Sequence, residues 1–198
     1  MSQPLVFTNG AVGAAFFAAA GAWAVFEFVM NVRQRWRAHR WRSNDPTYYV
    51  VYSCVAGSVV ASVLLGRKGP LLLWPGGRIW PVAAGMALLI AGVGLRAWSI
   101  VTLGRFFQYQ IQIQAGHRVV TAGPYRWVRH PSYSGIALAV VGFALASGDV
   151  LSLAATVILT GIGLAVRIRA EERQLMEALG ADYERFAAER KRVIPGIW

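Results

Sequence analysis

The residues best suited to chemistry lie in one motif, GPYRWVRHPSYSG, at positions 123–135. A second polar group, RAEER at positions 169–173, carries a pair of glutamates. Arginines, a histidine, carboxylates and aromatic rings can together bind a ligand that has both charged and flat parts. The same residue types also suit a basic loop that contacts lipid headgroups at a membrane surface. Residue type alone favours neither interpretation.

The order and spacing of these residues resemble the isoprenylcysteine carboxyl methyltransferase family, whose relatives include the membrane phospholipid methyltransferases. The resemblance rests on Gly-Pro-Tyr-Arg at 123–126, on Arg-His-Pro-x-Tyr-x-Gly at 129–135 and on the glutamate pair at 171 and 172. It covers roughly the C-terminal half of the chain, from His117 to Pro195. It implies an enzyme that uses S-adenosylmethionine as its cofactor.

The resemblance also implies roles for individual residues. The cofactor contacts that it implies are His117, Val120, Gly123, Tyr125, His130, Pro131, Tyr133, and Glu171 or Glu172. The catalytic residues that we predict are Arg192, Glu172 and Arg129, of which the resemblance places Arg192 near the reacting groups. Phe186 departs from the family pattern, in which a tyrosine is common, so no hydroxyl is expected there.

Methyl transfer from a sulfonium is an in-line displacement, for which alignment and exclusion of water matter more than acid or base. Arg129 and His130 suit the cofactor carboxylate, and Glu171 or Glu172 suits its ribose hydroxyls or its ammonium group. The rings of Tyr125, Trp127 and Tyr133 suit its flat parts and its sulfonium.

An alternative for the two glutamates is a solvated helix face. Arg167 and Glu171 are four residues apart, and Arg169 and Glu172 are three apart, which are the spacings of ordinary helical ion pairs.

Composition predicts one integral membrane domain over residues 1–198, because 56% of the residues are hydrophobic and only 15% are charged. The formal net charge is +11, but the basic residues lie between long uncharged runs, which favours membrane topology over nucleic-acid binding. Cys54 is the single cysteine and is expected to act as a small buried hydrophobe. His39, His117 and His130 lack the spacing of metal ligands, so we predict no metal.

The uncharged runs predict an all-α fold with five transmembrane helices and a cytoplasmic C-terminal cofactor site. The predicted spans are Ala11–Met30, Thr47–Leu65, Pro81–Leu103, and a helical hairpin over Pro131–Val166 that turns at Gly148-Asp149. Residues 1–103 therefore hold three spans, and residues 104–198 hold the cofactor motif, the hairpin and the C-terminal helices. The first segment lacks a basic leader and is expected to remain as a membrane anchor.

Several local features are also predictable. Asn44-Asp45-Pro46 should start the second span, Asp149 should cap the fifth, and Gly180 should end it after Leu179. An amphipathic helix should follow from about Asp182 to Arg190. Alternating polar and apolar residues predict an extended segment from Phe106 to Gln114. Arg96 either faces a pocket or snorkels to the interface, and snorkelling is the favoured interpretation.

Orientation follows from the distribution of Lys and Arg. The surface that carries residues 33–42, 105–129 and the C-terminal segment holds sixteen of them, and the loop at 66–80 holds three. The motif is therefore expected to face the cytoplasm, in the inner membrane of a prokaryote or the endoplasmic reticulum of a eukaryote.

The resemblance implies a lipophilic acceptor that enters from the bilayer, with a carboxylate such as that of a prenylcysteine-like C-terminus. N-methylation of a phospholipid headgroup is the alternative, with His130 or a glutamate as base. A sterol-reductase-like enzyme and a non-catalytic scaffold are further alternatives, which the motif disfavours.

Overall fold

The computed structural model describes residues 3–37, 45–68, 79–109, 116 and 118–198, and these residues form an all-helical bundle. Its α-helices are α1 Leu5–Thr8, α2 Gly10–Arg37, α3 Thr47–Lys68, α4 Trp80–Leu103, α5 Pro131–Ser147, α6 Val150–Leu179 and α7 Ala181–Glu189. Two 3₁₀ turns, Gly104–Phe106 and Gly123–Arg126, flank the segment between α4 and α5.

Within the described ranges, four helices are long and apolar enough to cross a bilayer, and the chain is an integral membrane protein. They are Gly10–Gln34, Thr47–Lys68, Trp80–Phe106 and Val150–Leu179. The helix predicted as the fourth of five spans, Pro131–Ser147, has 17 residues and is the shorter apolar helix of the bundle. The all-α prediction is confirmed, and the length criterion supports four of the five predicted spans.

Helix α5 lies at the centre of the bundle, between α4, α6 and α3. Most of its residues are buried, and Val140 and Ala144 have no exposed surface. A helix that is buried on nearly every side needs no polar face, and α5 accordingly shows almost no amphipathic pattern.

Four glycines let the backbones of α4 and α5 touch. Gly85 lies opposite Gly142, and Gly92 lies opposite Gly135, so the two helices run antiparallel. A Cβ atom added to Gly85 or Gly142 would lie 2.5 Å from the carbonyl oxygen of the other glycine. Because real Cβ atoms essentially never approach so closely, only glycine allows this contact.

Helix α3 packs on α6 through small and hydroxyl-bearing residues. The hydroxyls of Ser58 and Thr160 are 3.3 Å apart, and those of Ser62 and Thr156 are 3.1 Å apart. Both pairs are buried, so each hydroxyl finds its partner within the protein rather than in lipid.

The predicted helix ends are confirmed. The Oδ1 atom of Asp45 accepts a hydrogen bond from the backbone N–H of Thr47 (3.0 Å) at the start of α3. Asp149 caps α6 by accepting from the N–H of Ser152 (2.9 Å), just after the turn at Gly148. Gly180, with φ of 51°, ends α6 in a conformation that favours glycine.

The snorkelling interpretation of Arg96 is wrong. Its side chain is buried, pairs with Glu27 of α2 and donates from Nη1 to the Ser132 hydroxyl (2.8 Å). The Nη2 atom of Arg96 also donates to Oε2 of Glu27 (2.8 Å). An arginine with a carboxylate partner inside the protein has no need to reach the interface.

The prediction of an extended segment needs one correction. Phe106 belongs to the 3₁₀ turn that continues α4, because the backbone at Gly104 (φ of 57°) leads into this turn and not into an extended segment. Extended backbone begins at Phe107, with φ of −70° and ψ of 126°. The rest of the predicted segment, residues 110–114, lies outside the described residues.

Replacing Gly142 with alanine should destabilise the protein by about 1 to 3 kcal/mol, because the new methyl group would force α4 and α5 apart. Gly94→Ala is the matched control, since that glycine is also helical but no atom lies within 4 Å of its added Cβ. The apparent unfolding temperature in detergent measures both effects. Equal temperatures for the two variants would show that the α4–α5 contact tolerates a side chain.

Candidate active site

One cleft opens at the end of the bundle where α4 ends and α5 begins, with a volume of about 820 Å³ including its solvent-open part. Its walls come from residues 106–108 and 118–120, the start of α5, the last turns of α6, and α7.

Most of the predicted cofactor residues line this cleft. Those in its wall are Val120, Tyr125, His130, Tyr133 and Glu171, and the predicted catalytic residue Arg129 lies there too. Pro131 is buried as the first residue of α5. Gly123 (φ of 55°) starts the 3₁₀ turn, where a Cβ atom would lie 2.8 Å from the Thr102 hydroxyl. His117 lies outside the described residues.

Glu172 joins two arginines and a histidine of the motif and the C-terminal segment. Its Oε1 atom accepts from Nη1 of Arg129 (2.7 Å) and lies 3.2 Å from Nε2 of His130. Its Oε2 atom accepts from Nε of Arg192 (2.8 Å). Glu172 is only 7% exposed, so the solvated-face alternative is wrong for this residue. Arg129, Glu172 and Arg192, the three predicted catalytic residues, thus lie in direct contact.

Backbone hydrogen bonds bring Arg192 to this cluster. Residues 128 and 191 form a parallel bridge, and the N–H groups of Arg129 and His130 donate to the carbonyls of Lys191 and Arg192 (2.8 Å each). The Ser134 hydroxyl donates to the carbonyl of Val193 (2.6 Å). The C-terminal segment is therefore fixed against the motif by main-chain contacts.

A second network centres on Arg167, which is 1% exposed. Its Nε atom donates to the Tyr133 hydroxyl (3.0 Å), and that hydroxyl donates to Oε2 of Glu171 (2.7 Å). Its Nη1 atom pairs with Asp45, and its Nη2 atom donates to the carbonyl of Tyr109 (2.5 Å). Burial raises the pKa of Asp45, but hydrogen bonds from Thr47 and the Arg167 charge outweigh it and leave that pKa below its usual value.

A third network attaches the cleft wall to α2. The Tyr109 hydroxyl donates to Oε2 of Glu27 (3.0 Å). Gln34 donates from Nε2 to the carbonyl of Phe107 (2.7 Å) and accepts from the N–H of Tyr109 (2.7 Å). With the Arg96–Glu27 pair, these contacts hold residues 107–109 beside the cleft.

Sequence reasoning missed Glu27, Asp45 and Arg167 as parts of the site. Each interrupts or borders an uncharged run, so each resembled a charge at a membrane boundary. A buried arginine needs a carboxylate partner, and this requirement was the available signal for Glu27. The partner of each arginine could not be chosen from spacing, because the pairs join residues far apart in the chain.

Two cleft residues carry buried polar atoms that lack a hydrogen-bond partner within the described ranges. These atoms are Nε of Arg129 and the Tyr183 hydroxyl. Burial and the charges of Glu172 and Glu171 raise the pKa of Tyr183, and burial and Glu171 raise that of Tyr125. Both phenols therefore stay protonated.

No group of three or more His, Cys, Asp or Glu side chains suited to a metal ion occurs among residues 3–37, 45–68, 79–109, 116 and 118–198. The cleft is instead rich in arginine and aromatic side chains.

Comparison with known proteins identifies the family. The model of the isoprenylcysteine carboxyl methyltransferase (ICMT) family matches residues 85–177. The chain is 32% identical over 138 residues to protein-S-isoprenylcysteine O-methyltransferase A of Arabidopsis thaliana. The aligned region covers 68% of this chain and 70% of that protein. The chain belongs to the ICMT family.

Two further relatives and one solved structure agree with ICMT membership. Uncharacterized protein YpbQ of Bacillus subtilis is 31% identical over 61% of this chain and 67% of its own length. Protein-S-isoprenylcysteine O-methyltransferase B of Arabidopsis thaliana is 34% identical over 60% of this chain, but only 59% of that enzyme is covered.

The structure of the eukaryotic intramembrane Ras methyltransferase ICMT aligns with a TM-score of 0.67. The alignment covers 94% of this chain and 67% of that one, at 20% sequence identity. This likeness shows that the ICMT fold extends to the first helices, which the sequence motifs do not reach.

Replacing Glu172 with glutamine should lower stability by about 1.5 to 3 kcal/mol, because two arginines and a histidine would lose their shared carboxylate. Glu177→Gln on the exposed side of the same helix is the matched control. Thermal unfolding in detergent compares the two. A Glu172 variant as stable as the Glu177 variant would mean that the cluster does not hold the site together.

Proposed function

We propose that this chain is a membrane-embedded methyltransferase that transfers the methyl group of S-adenosylmethionine to the carboxylate of a lipophilic acceptor. A prenylcysteine-like C-terminus is the acceptor class, as in the relatives named protein-S-isoprenylcysteine O-methyltransferase. The observation that carries this proposal is the Arg129–Glu172–Arg192 cluster, which lies beside a cleft in a chain of the ICMT family.

The cleft residues fit the polar parts of S-adenosylmethionine. The Arg129 guanidinium suits the cofactor carboxylate, and the Glu171 carboxylate suits the ribose hydroxyls or the ammonium group. The rings of Phe106, Phe107 and Tyr125 suit the adenine. The bound cofactor supplies a methyl group on a sulfonium.

Arg192 is the residue that we assign to the acceptor. The Nε atom of Arg192 contacts Glu172, and 35% of the Arg192 side chain is exposed. Its guanidinium can therefore orient an acceptor carboxylate while Glu172 holds it in place. In this assignment Glu172 is a positioning residue, since its two oxygens face Arg129, His130 and Arg192.

The same contacts favour O-methylation over N-methylation. An amine acceptor has to lose a proton, which requires a base. A Glu172 carboxylate surrounded by two arginines and a histidine is a weak base, because proton uptake would remove the charge that balances them. A carboxylate acceptor needs no such base.

The proposed topology follows from the basic residues. We place the cleft on the cytoplasmic side, because the sequence segments predicted to lie on that side of the membrane hold sixteen Lys and Arg residues. We also propose that the 17-residue α5 crosses the membrane as the buried partner of α6, which gives five spans in one domain.

Purified protein incubated with radiolabelled S-adenosylmethionine tests the proposed reaction. A prenylcysteine analogue should gain a label that base releases, because methyl esters are labile to base and methylamines are not. Phospholipid and a carboxyl-blocked analogue serve as comparison acceptors. A base-stable label on phospholipid would contradict this proposal and show that the enzyme methylates a lipid amine.

Glu171→Gln should weaken S-adenosylmethionine binding about fivefold to tenfold, because a charge-assisted hydrogen bond becomes a neutral one. Calorimetric titration measures the affinity, and Glu177→Gln is the matched control on the same helix. Circular dichroism verifies that both variants remain folded. Equal affinities would remove Glu171 from the cofactor site.

Arg192→Ala should reduce single-turnover methylation much more than it reduces cofactor affinity, because its cation acts on the acceptor. Arg192→Lys should restore part of the rate by keeping the charge. Arg185→Ala, at a side chain that is 77% exposed on α7, is the control. A fully active Arg192→Ala variant would contradict this role.

A further inference from the structure

Arg167 belongs to the wall of the cleft, yet contacts within the protein occupy its guanidinium group. Its Nε atom donates to the Tyr133 hydroxyl of α5 (3.0 Å), and its Nη1 atom donates to the Thr47 hydroxyl at the start of α3 (2.9 Å). Its Nη2 atom donates to the carbonyl of Tyr109 (2.5 Å), and Nη1 also pairs with Asp45. A guanidinium that is held from several sides is a fixed donor, because its planar group cannot turn without breaking these bonds.

The contacts of Tyr133 determine where its hydroxyl hydrogen points. A phenol hydroxyl has one hydrogen to donate, whereas a guanidinium group can only donate. Because Nε of Arg167 donates to the Tyr133 oxygen, the hydrogen of Tyr133 has to point to another acceptor. That acceptor is Oε2 of Glu171, at a distance of 2.7 Å. Arg167 therefore makes Tyr133 a donor to Glu171.

This arrangement leaves one oxygen of Glu171 for a ligand. Oε2 accepts from Tyr133, and within the described ranges no hydrogen bond reaches Oε1. The Glu171 side chain lines the cleft, so Oε1 is an acceptor for a group that donates a hydrogen bond, such as a hydroxyl or an ammonium. The bond from Tyr133 also limits the rotation of the Glu171 carboxylate.

The effect of Arg167 on Glu171 passes through Tyr133. The two charged residues are four positions apart on α6, which is the spacing of a helical ion pair. In the part of the chain that the structure describes, however, the carboxylate that pairs with Arg167 is that of Asp45. The Tyr133 hydroxyl bonds to both Arg167 and Glu171 and so connects them.

Asp45 holds Arg167 from the start of α3. Its Oδ2 atom pairs with Nη1 of Arg167, while its Oδ1 atom accepts from the N–H (3.0 Å) and the hydroxyl (2.7 Å) of Thr47. Asp45 is buried and does not belong to the described wall of the cleft. A continuous chain of contacts thus runs from the second span through Arg167 and Tyr133 to Glu171.

We propose that Arg167 is a positioning residue for cofactor recognition. It keeps the Tyr133 hydroxyl as a donor to Glu171, and Glu171 then presents Oε1 to a donor group of S-adenosylmethionine. Asp45 supports Arg167 in this role. The inference rests on the proposed function, which supplies the ligand, and it assigns a role to a residue outside the motifs at 123–135 and 169–173.

A double-mutant cycle, measured by calorimetric titration with S-adenosylmethionine, tests this role. Arg167→Lys keeps the positive charge but lacks the planar fork that reaches Tyr133 and Asp45 together. It should weaken binding about two- to tenfold, the value of one hydrogen bond. In the Tyr133→Phe background the same replacement should cause no further loss, because no hydroxyl remains to be oriented. Equal losses in the two backgrounds would overturn the proposal.

Arg96→Lys is the matched comparison. Arg96 is also buried and paired with a carboxylate, but it donates to Ser132 and not to Tyr133. Its effect on cofactor affinity should add to that of Tyr133→Phe, since the two side chains do not act through one hydroxyl. A cycle for Arg96 as non-additive as the cycle for Arg167 would mean that loosening of the bundle explains both, which would contradict the proposed role.

Asp45→Asn tests the same chain of contacts without altering Arg167. Asparagine keeps an oxygen for the N–H of Thr47, but Arg167 loses its ionic partner. This variant should also bind S-adenosylmethionine more weakly, and the loss should again disappear in the Tyr133→Phe background. Thermal unfolding in detergent is measured beside each titration. Variants with lowered stability and unchanged affinity would show that Asp45 and Arg167 only stabilise the fold.

Titration of the unaltered protein separates this inference from the proposed function. Binding by the unaltered protein, together with additive effects of the Arg167 and Tyr133 replacements, would overturn the role of Arg167 and leave the proposed function intact. Failure of the unaltered protein to bind S-adenosylmethionine would overturn the proposed function, and this inference with it.

Discussion

The site depends on the close approach of α4 and α5. Four glycines bring the two backbones into contact, and the Cβ of Arg96 lies within 2.9 Å of the position that a side chain at Gly135 would take. This distance lets a short serine on α5, Ser132, reach the guanidinium of Arg96. Any side chain in the contact would move the first turn of α5, and with it His130 and Tyr133, relative to the cleft wall carried by α4.

Two buried arginines connect the N-terminal half of the chain to the cleft. Arg96 takes its carboxylate from Glu27 and contacts Ser132, whereas Arg167 takes its carboxylate from Asp45 and contacts Tyr133. In a medium of low dielectric constant an unpaired charge is very costly, so neither pair can open without a large penalty. The first two spans therefore act as more than an anchor, because they supply the charges that fix the start of α5.

The C-terminal motif made much of the site predictable from the sequence. The pairing between distant helices was not predictable. Tyr125, Arg129, His130, Tyr133 and Glu171 line one cleft. Helix ends were also predictable, because caps depend on local residues. The extended segment was wrong at its first residue, since Gly104 has φ of 57° and no propensity rule specifies which way such a glycine turns the chain.

The main-chain contact between the motif and the C-terminal segment joins residues 59 positions apart, as in the Ser134–Val193 pair. Both α5 and α6 lie between these residues, and α7 leads back to the motif. The arginine of the tail can reach its glutamate only when this whole stretch has inserted and folded back. A chain in which α5, α6 and the C-terminal segment are not all in place therefore has no complete Arg129–Glu172–Arg192 cluster.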